Sequence, residues 1–303
     1  MNSRTKYLLG FFLLVVFAIL LAIYFYPEKK LHLVTCDVGQ GDAMLVSYGT
    51  TQILVDGGPD NSVINCLSKH MPFWDRQIEL VILTHPQKDH FGGLIDVFQR
   101  YKVSYFLANE IDAGSQEYGL LKKVVGGSST VVQKPSDGMV IRLGLIHLDI
   151  VHPSGGYVLA NTEPIEGSNN KQVLGVRTTN ADPNEFSIVA ILKYGEFGAL
   201  LSGDIQLPVI DDVSRKISDK ANHDLEYIKI PHHGSKNGIT DELLNTIEPE
   251  VAVISVGKNS YGHPHKDVIK LLNEKDIRIL RTDQMGDIEI ISDGKSFWLK
   301  NKP

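Results

Sequence analysis

Thr84-His85-Pro86-Gln87-Lys88-Asp89-His90-Phe91-Gly92-Gly93 follows an apolar run, residues 78–83, with the length and composition of a buried strand. Two imidazoles and a carboxylate leave the C-terminal end of that strand within six residues. Imidazole and carboxylate are the ligands that borderline metals such as zinc favour. Crevices beyond strand ends are also where α/β folds place their sites. The plainer alternative for the stretch is a polar loop capping a helix that starts near Gly92.

Other strand ends carry the same chemistry. Residues 227–230 form a short apolar strand that runs into Pro231-His232-His233-Gly234-Ser235-Lys236. Residues 198–202 end in Gly203-Asp204, and Tyr261-Gly262-His263-Pro264-His265 lies near the C-terminus. Six of the eleven histidines fall in these clusters, which scattered surface histidines would not do. A faint internal repeat connects them. Residues 44–58 read as strand, turn at Tyr48-Gly49, strand, then Val55-Asp56-Gly57. Residues 188–204 read as strand, turn at Tyr194-Gly195, strand, then Ser202-Gly203-Asp204. Each unit precedes a helical stretch and a strand ending in histidine. The duplication predicts two half-sheets facing each other with helices outside, an αββα layering of class α/β that sets both clusters on one edge.

Asp37-Val38-Gly39-Gln40-Gly41-Asp42-Ala43, Val55-Asp56-Gly57-Gly58, His85 with Asp89-His90, Asn184 with Ser187, Ser202-Gly203-Asp204, Lys229-Ile230-Pro231-His232-His233-Gly234-Ser235, Tyr261-Gly262-His263-Pro264-His265 and Arg281-Thr282-Asp283 occur together in this order. The series resembles the ComEC/Rec2-type hydrolases of the metallo-β-lactamase superfamily, which include the C-terminal domain of the competence DNA channel. The likeness runs from about Leu31 to Trp298. It implies the four-layer αββα metallo-β-lactamase fold and a site for two divalent metal ions, zinc or else manganese.

Carried onto this chain, the resemblance makes Asp204 the bridging carboxylate and His85 a ligand of one ion. Asp89, His90 and one imidazole of the His232-His233 pair hold the other. His233 is preferred there, because adjacent side chains on an extended segment point to opposite faces. His232 then acts on substrate or packs. Asp89 can also orient the attacking water. His265 or His263 is expected near the site, as a further ligand or as proton donor to the leaving group. Asp56 is expected to orient a ligand imidazole, and Ser235 and Lys236 to meet an anionic substrate. His152 reads as structural. Gln87 stands where the signature usually has its second histidine. Its neutral amide is a weak zinc ligand, so the first metal position looks poorly furnished, with Asn184 near the place of another ligand.

The chain has 303 residues, 43% apolar and 22% charged, and a net charge of −6. That balance gives no general basic surface for nucleic acid. Residues 7–26 are uncharged and apolar, long enough to cross a bilayer as a helix. Arg4 and Lys6 precede the run, favouring a cytoplasmic N-terminus, although Lys29 and Lys30 follow it. No Ala-x-Ala-like site follows, so an uncleaved single-pass anchor is preferred to a secretory signal. Residues 1–30 are thus read as anchor or signal, and residues 31–303 as one hydrolase domain outside the cytoplasm. Cys36 and Cys66 have no metal-site spacing and are expected to be unpaired, with Cys36 a small core residue. Residues 157–184 read as an irregular, substrate-facing loop.

The expected activity is metal-dependent hydrolysis of a phosphodiester, with single-stranded DNA as substrate. The alternatives are another ester, such as a cell-wall phosphoester, a lipid head group or a lactone, and a binding domain that kept only the fold.

Overall fold

Strands of five to seven residues that are apolar on both faces need cover on both sides. The chain supplies it with two sheets and two sets of helices. The computed structural model describes residues 2–24, 27–136, 138–167, 174–220 and 225–300. The first half contributes β1 (Leu31–Thr35), β2 (Met44–Tyr48), β3 (Thr51–Val55), β4 (Gln77–Leu83), β5 (Lys102–Ala108) and β6 (Val131–Gln133). The second contributes β7 (Val140–Leu143), β8 (Ile146–His152), a short ribbon of β9 (Glu163–Pro164) and β10 (Arg177–Thr178), then β11 (Val189–Tyr194), β12 (Phe197–Leu201), β13 (Tyr227–Lys229), β14 (Val251–Ile254) and β15 (Arg278–Arg281). The last two strands, β16 (Ile288–Ser292) and β17 (Phe297–Leu299), return to the first sheet, whose order is β17-β16-β1-β2-β3-β4-β5-β6. The second sheet has the order β15-β14-β13-β12-β11-β8-β7.

Alternation along each strand divides the apolar residues into three layers. Leu33, Val46, Ile53 and Ile82 meet Leu148, Leu192, Leu201 and Val253 between the sheets. Val34, Leu45, Leu54 and Val81 point the other way, onto Val63, Leu67, Leu94 and Tyr118 of the helices over the first sheet. Leu200, Ile228 and Ala252 pack on Val213, Leu243 and Leu272 of the helices over the second. This is the αββα order expected from the repeat. The repeat itself is visible as two equivalent hairpins, β2–β3 and β11–β12, each followed by a parallel strand, β4 or β13. Their turn-end tyrosines, Tyr48 and Tyr194, touch across the core with ring centroids 5.5 Å apart.

Two expectations are corrected. Cys36 and Cys66 form a disulfide, with Cα atoms 5.8 Å apart. Cys36 extends β1 with its side chain in the outer layer, and Cys66 sits on the inner face of the helix Ser62–His70, so both sulfurs enter the same apolar layer. Residues 157–184 are not uniformly irregular either. A helix spans Gly155–Asn161, started by Ser154, whose hydroxyl accepts from Tyr157 N–H, and the β9–β10 ribbon follows. Residues 168–173, in the middle of that stretch, lie outside the described residues.

The N-terminal helix spans Ser3–Tyr24. Its Ser3–Leu21 portion has a mean hydropathy of 2.0 and none of it is buried, so it is long and apolar enough to cross a membrane.

The disulfide closes a span of 30 residues. On chain-entropy grounds its loss should cost about 3 kcal/mol. Denaturant unfolding of wild type and of Cys66→Ala is expected to show that difference, and equal midpoints would show that the cross-link contributes nothing.

Candidate metal centre

The β3 strand ends in Asp56, held at φ 60° and buried. Its carboxylate accepts from the Thr84 backbone N–H and from the Thr84 hydroxyl, each at 2.8 Å. It also accepts from His90 Nδ1 at 2.8 Å, which turns His90 Nε2 toward Asp204 Oδ2, 3.2 Å away. Asp56 thus orients the His90 ring, through the contact by which a carboxylate can position a ligand imidazole. His90 lies on a single helical turn, Lys88–Phe91, pressed against neighbouring loops. A Cβ on Gly92 would lie 2.1 Å from Pro59 O, so only glycine lets that turn sit so close. On its other side, Asp42 N–H donates to Asp89 O at 3.1 Å, which ties in the Gly-rich loop after β1.

His85 is fully buried. Its Nδ1 is 3.1 Å from Thr84 Oγ1 and 3.3 Å from Ser187 Oγ, and its Nε2 has no partner. Burial, aided by the neighbouring His90, pushes its pKa down to about 3. It is therefore a neutral imidazole with a free nitrogen, the form that ligates metals. His233 Nδ1 donates to Ser255 O at 2.9 Å, leaving Nε2 3.3 Å from Asp89 Oδ2 and 3.4 Å from Asp204 Oδ2. His233, not His232, joins the cluster, but the reason differs from the one expected. The segment is not extended. Both residues are left-handed, at φ 49° and 53°, and a tight turn separates their rings by 6.2 Å.

Ligand atoms of His85, His90 and Asp204 lie within 4.8 Å of one another, as do those of Asp89, His90 and His233. The expectation had Asp204 shared between the two ions and His90 on one of them; here the two groups have His90 in common, with Asp204 beside His85. Under them sits a residue given no role in the sequence reading. Lys229 is buried on β13; its ammonium donates to Asp204 Oδ1 and Gly203 O at 3.0 Å each and pairs with Asp42 Oδ2. Its signal was present, because a lysine inside an otherwise apolar three-residue strand must find a counter-charge.

The charge balance tests whether a cation fits. Asp42, Asp56, Asp89 and Asp204 converge on one region, against the single ammonium of Lys229. Burial raises the pKa of Asp204, but Lys229, His233 and His90 outweigh it and hold the carboxyl well below its usual range. Burial opposes protonation of His233, yet Asp204 and Asp42 push it up to about 10. His90 is raised in the same way, chiefly by Asp204 and Asp56 against the effect of burial. The imidazoles collect protons because the carboxylates demand positive charge. A divalent ion would replace those protons, as metal binding to histidine generally does. With the free Nε2 of His85, the donor set fits a divalent metal.

The cluster opens into a cavity of about 640 Å³ lined by Gln40, Gln87, Lys88, Asp89, Asn184, His232, His233, Lys258, Tyr261 and His263, among others. Gln87 and Asn184 bring amides, and Asn184 Oδ1 is buried without a partner. His232 and His263 stand edge to face, 5.5 Å apart, each with a buried Nδ1 that has no partner. Three expected residues are not brought to this cavity. His265 caps the helix Lys266–Glu274, its Nδ1 accepting from Asp267 N–H at 3.3 Å, while His263 takes the place at the cavity. Lys236 turns out to solvent toward Asp267, 3.4 Å away, and Ser235 ends the His232-His233 turn. The lysines at the cavity are Lys88 and Lys258 instead. His152 is structural, as expected, its Nε2 2.8 Å from Glu185 O.

Fold and centre together define the class. Residues 36–258 match the Metallo-beta-lactamase superfamily, and the chain belongs to it. Within that class it is similar to ComE operon protein 3 of Bacillus subtilis, 25% identical over 84% of this chain and 32% of the relative. It is also similar to Recombination protein 2 of Haemophilus influenzae, 24% identical over 84% of this chain and 28% of the relative. The chain spans less than a third of the length of these relatives. Among solved structures, the metallo-beta-lactamase fold protein YhfI from Bacillus subtilis aligns with a TM-score of 0.50 and 12% identity, over 89% of this chain and 100% of that one. CmlA, a diiron beta-hydroxylase from Streptomyces venezuelae, aligns with a TM-score of 0.50 and 14% identity, over 87% of this chain and 54% of that one. These two share the fold.

His90→Ala and Asp204→Ala should each lower metal content after dialysis by at least about tenfold in affinity, whereas His265→Ala should keep it. Elemental analysis and calorimetric titration decide, and full metal content in either of the first two variants would dismiss this centre. Lys229→Met leaves two buried carboxylates without their cation and should destabilise the fold by about 3–5 kcal/mol, readable as a lowered unfolding midpoint.

Proposed function

We propose that this chain is a metal-dependent phosphodiesterase that cleaves DNA outside the cytoplasm, held at the membrane by its N-terminal helix. The observation that carries the reading is the His90–His233–Asp89 cluster, with Asp204 beside His90 and His233, under a cavity with lysines at its rim. Those four residues would hold one divalent ion. His85 and Asp204, with only amides from Gln87 and Asn184 nearby, would hold a second more weakly. Bound there, a divalent ion, zinc or manganese, polarises a phosphoryl oxygen and acidifies water.

This chain's own residues prepare the rest. Asp56 and the Ser255 carbonyl fix the rings of His90 and His233. Lys229 keeps Asp204 ionised and aimed. Asp89, half-buried at the cavity, would orient the attacking water. Burial lowers the pKa of His232, leaving a neutral ring whose free Nδ1 would accept a proton from the attacking water, with His263 beside it. Lys258 would supply positive charge for phosphates, with Lys88 at the same cavity but paired with Glu117 at 3.4 Å. A relative named for recombination supports DNA as substrate. The disulfide supports a compartment outside the cytoplasm, where such bonds persist. A different ester is the second reading, favoured by the net charge of −6.

The full chain, supplied with manganese or zinc, is expected to cleave single-stranded DNA and a bis-aryl phosphodiester, and a chelator should stop it. Cleavage of DNA should fall only gently with salt, because the salt slope scales with the number of phosphates neutralised and few lysines carry the contact. DNA left intact at low salt, with a neutral ester or lactone hydrolysed, would replace the nuclease reading by the second. Gln87→His should raise metal content toward about two ions per chain, since imidazole binds zinc better than an amide. Unchanged stoichiometry would show that Gln87 does not face the metals.

A further inference from the structure

We infer that the end of the sandwich opposite the metal centre rests on the membrane, with Trp74 and its neighbour Phe73 in the head-group zone. The inference depends on the N-terminal helix being an uncleaved anchor, and it settles which way the centre faces. Strand polarity is the first support. Leu31, where β1 begins, is level with Tyr48 and Ser292; Tyr48 is level with Thr51, and Ser292 with Phe297. The starts of the parallel strands β4 and β5, Gln77 and Lys102, lie at this same edge. The second sheet turns there too, Glu196 N–H donating to Gly294 O at 2.7 Å. The metal centre follows the C-terminal ends of β3, β4, β12 and β13 and so occupies the other edge.

The second support is reach. The helix ends at Tyr24 and β1 starts at Leu31. Residues 25–30 can span at most about 25 Å fully extended. The edge that carries Leu31 is therefore tethered close to any bilayer the helix enters.

The third is the surface itself. The loop leading into β4 exposes Phe73 by 69% and Trp74 by 48%. Trp298 on β17 is 38% exposed, with the Lys30 ammonium 5.2 Å over its ring. Indole, apolar in body with one polar N–H, is suited to the head-group layer. Lys30, over the Trp298 ring, and the exposed Arg76, two residues after Trp74, add cations that suit anionic lipids. In this pose the strands separate the centre from the bilayer. The β4 strand has seven residues, a length of roughly 23 Å. The cavity then faces bulk solvent, where a soluble polymer reaches it and head groups of the host membrane do not.

The chain has only two tryptophans, Trp74 and Trp298, so its own fluorescence reports on this edge. The full chain would be reconstituted into phosphatidylcholine–phosphatidylglycerol vesicles with plain or brominated acyl chains. In Trp298→Phe, bromination is expected to quench the remaining Trp74 emission at least twofold. A reporter at the cavity, Tyr261→Trp with both native tryptophans changed to phenylalanine, should be unaffected. Co-flotation with an unquenched Trp74, or a quenched cavity reporter, would overturn the pose while leaving the anchor and the hydrolase reading intact. A chain that fails to float with vesicles would overturn the anchor and the pose with it. DNA cleavage in solution tests the hydrolase reading separately.

Discussion

The constraint on which this structure depends is the gathering of carboxylates at the seam between its two sheets. Asp42, Asp56 and Asp204 are all buried, and Asp89 stands half-buried beside them. Each buried carboxylate would be several kcal/mol unfavourable without compensation. Compensation is local and directional: Thr84 N–H for Asp56, His232 N–H for Asp204, and the ammonium of Lys229 between Asp42 and Asp204. None of these donors can move far without exposing an unpaired charge. The strand ends are consequently held in register with one another, and the left-handed turn at His232-His233 follows from that demand. Its backbone N–H must reach Asp204 while the next side chain enters the cluster.

The internal repeat acquires a chemical meaning from this arrangement. The two equivalent hairpins end in equivalent carboxylates, Asp56 after β3 and Asp204 after β12. His90 is clamped between them, Nδ1 on Asp56 at 2.8 Å and Nε2 facing Asp204 at 3.2 Å. One copy of the motif supports the ring and the other shares its open side. A duplicated scaffold therefore yields a site that neither half could form alone. The halves are unequal in their supports. His90 and His233 each have a strong acceptor behind them, a carboxylate and a carbonyl. His85 has only the hydroxyls of Thr84 and Ser187. Together with the amides of Gln87 and Asn184, this asymmetry supports the proposal that an ion on the His85 side is held more weakly.

Much of this was legible in the sequence, for physical reasons that can be stated. Strand ends announce themselves by apolar runs that stop at glycine and histidine, so His85, His90, Asp204 and His233 could be placed on one edge before any coordinates. The internal repeat gave the layering. What escaped was contact between distant segments. Lys229 is legible only as a charge in a strand; that Asp42 would meet it depends on how the loop after β1 crosses the seam. Cys36 and Cys66 were a strand residue and a helix residue, and only their common layer pairs them. His263 and His265 could not be separated by spacing. The second is consumed by helix capping, a local competition for Nδ1 that the first escapes. Lys236 was misplaced for a similar reason, since Asp267 at the start of the same helix draws it away.

The polarity of the strands ties these observations together. Parallel β3–β4–β5 and β12–β13–β14 all aim their C-terminal ends at one edge. Backbone N–H groups there, with side chains on short irregular turns, can converge on a charge in a way regular strands cannot. The same polarity leaves the opposite edge with hairpin turns and strand starts, which have no chemistry to perform and are free to carry aromatic side chains and a tether. Reversing either parallel set would scatter the carboxylates across both edges and leave Lys229 without its partners. The centre is therefore a consequence of topology first and of residue choice second. Residue choice shows its freedom where topology makes no demand: at Gln87, where the backbone turn is closed by the hydrogen bond from its N–H to His85 O at 3.0 Å while the side chain brings an amide rather than an imidazole.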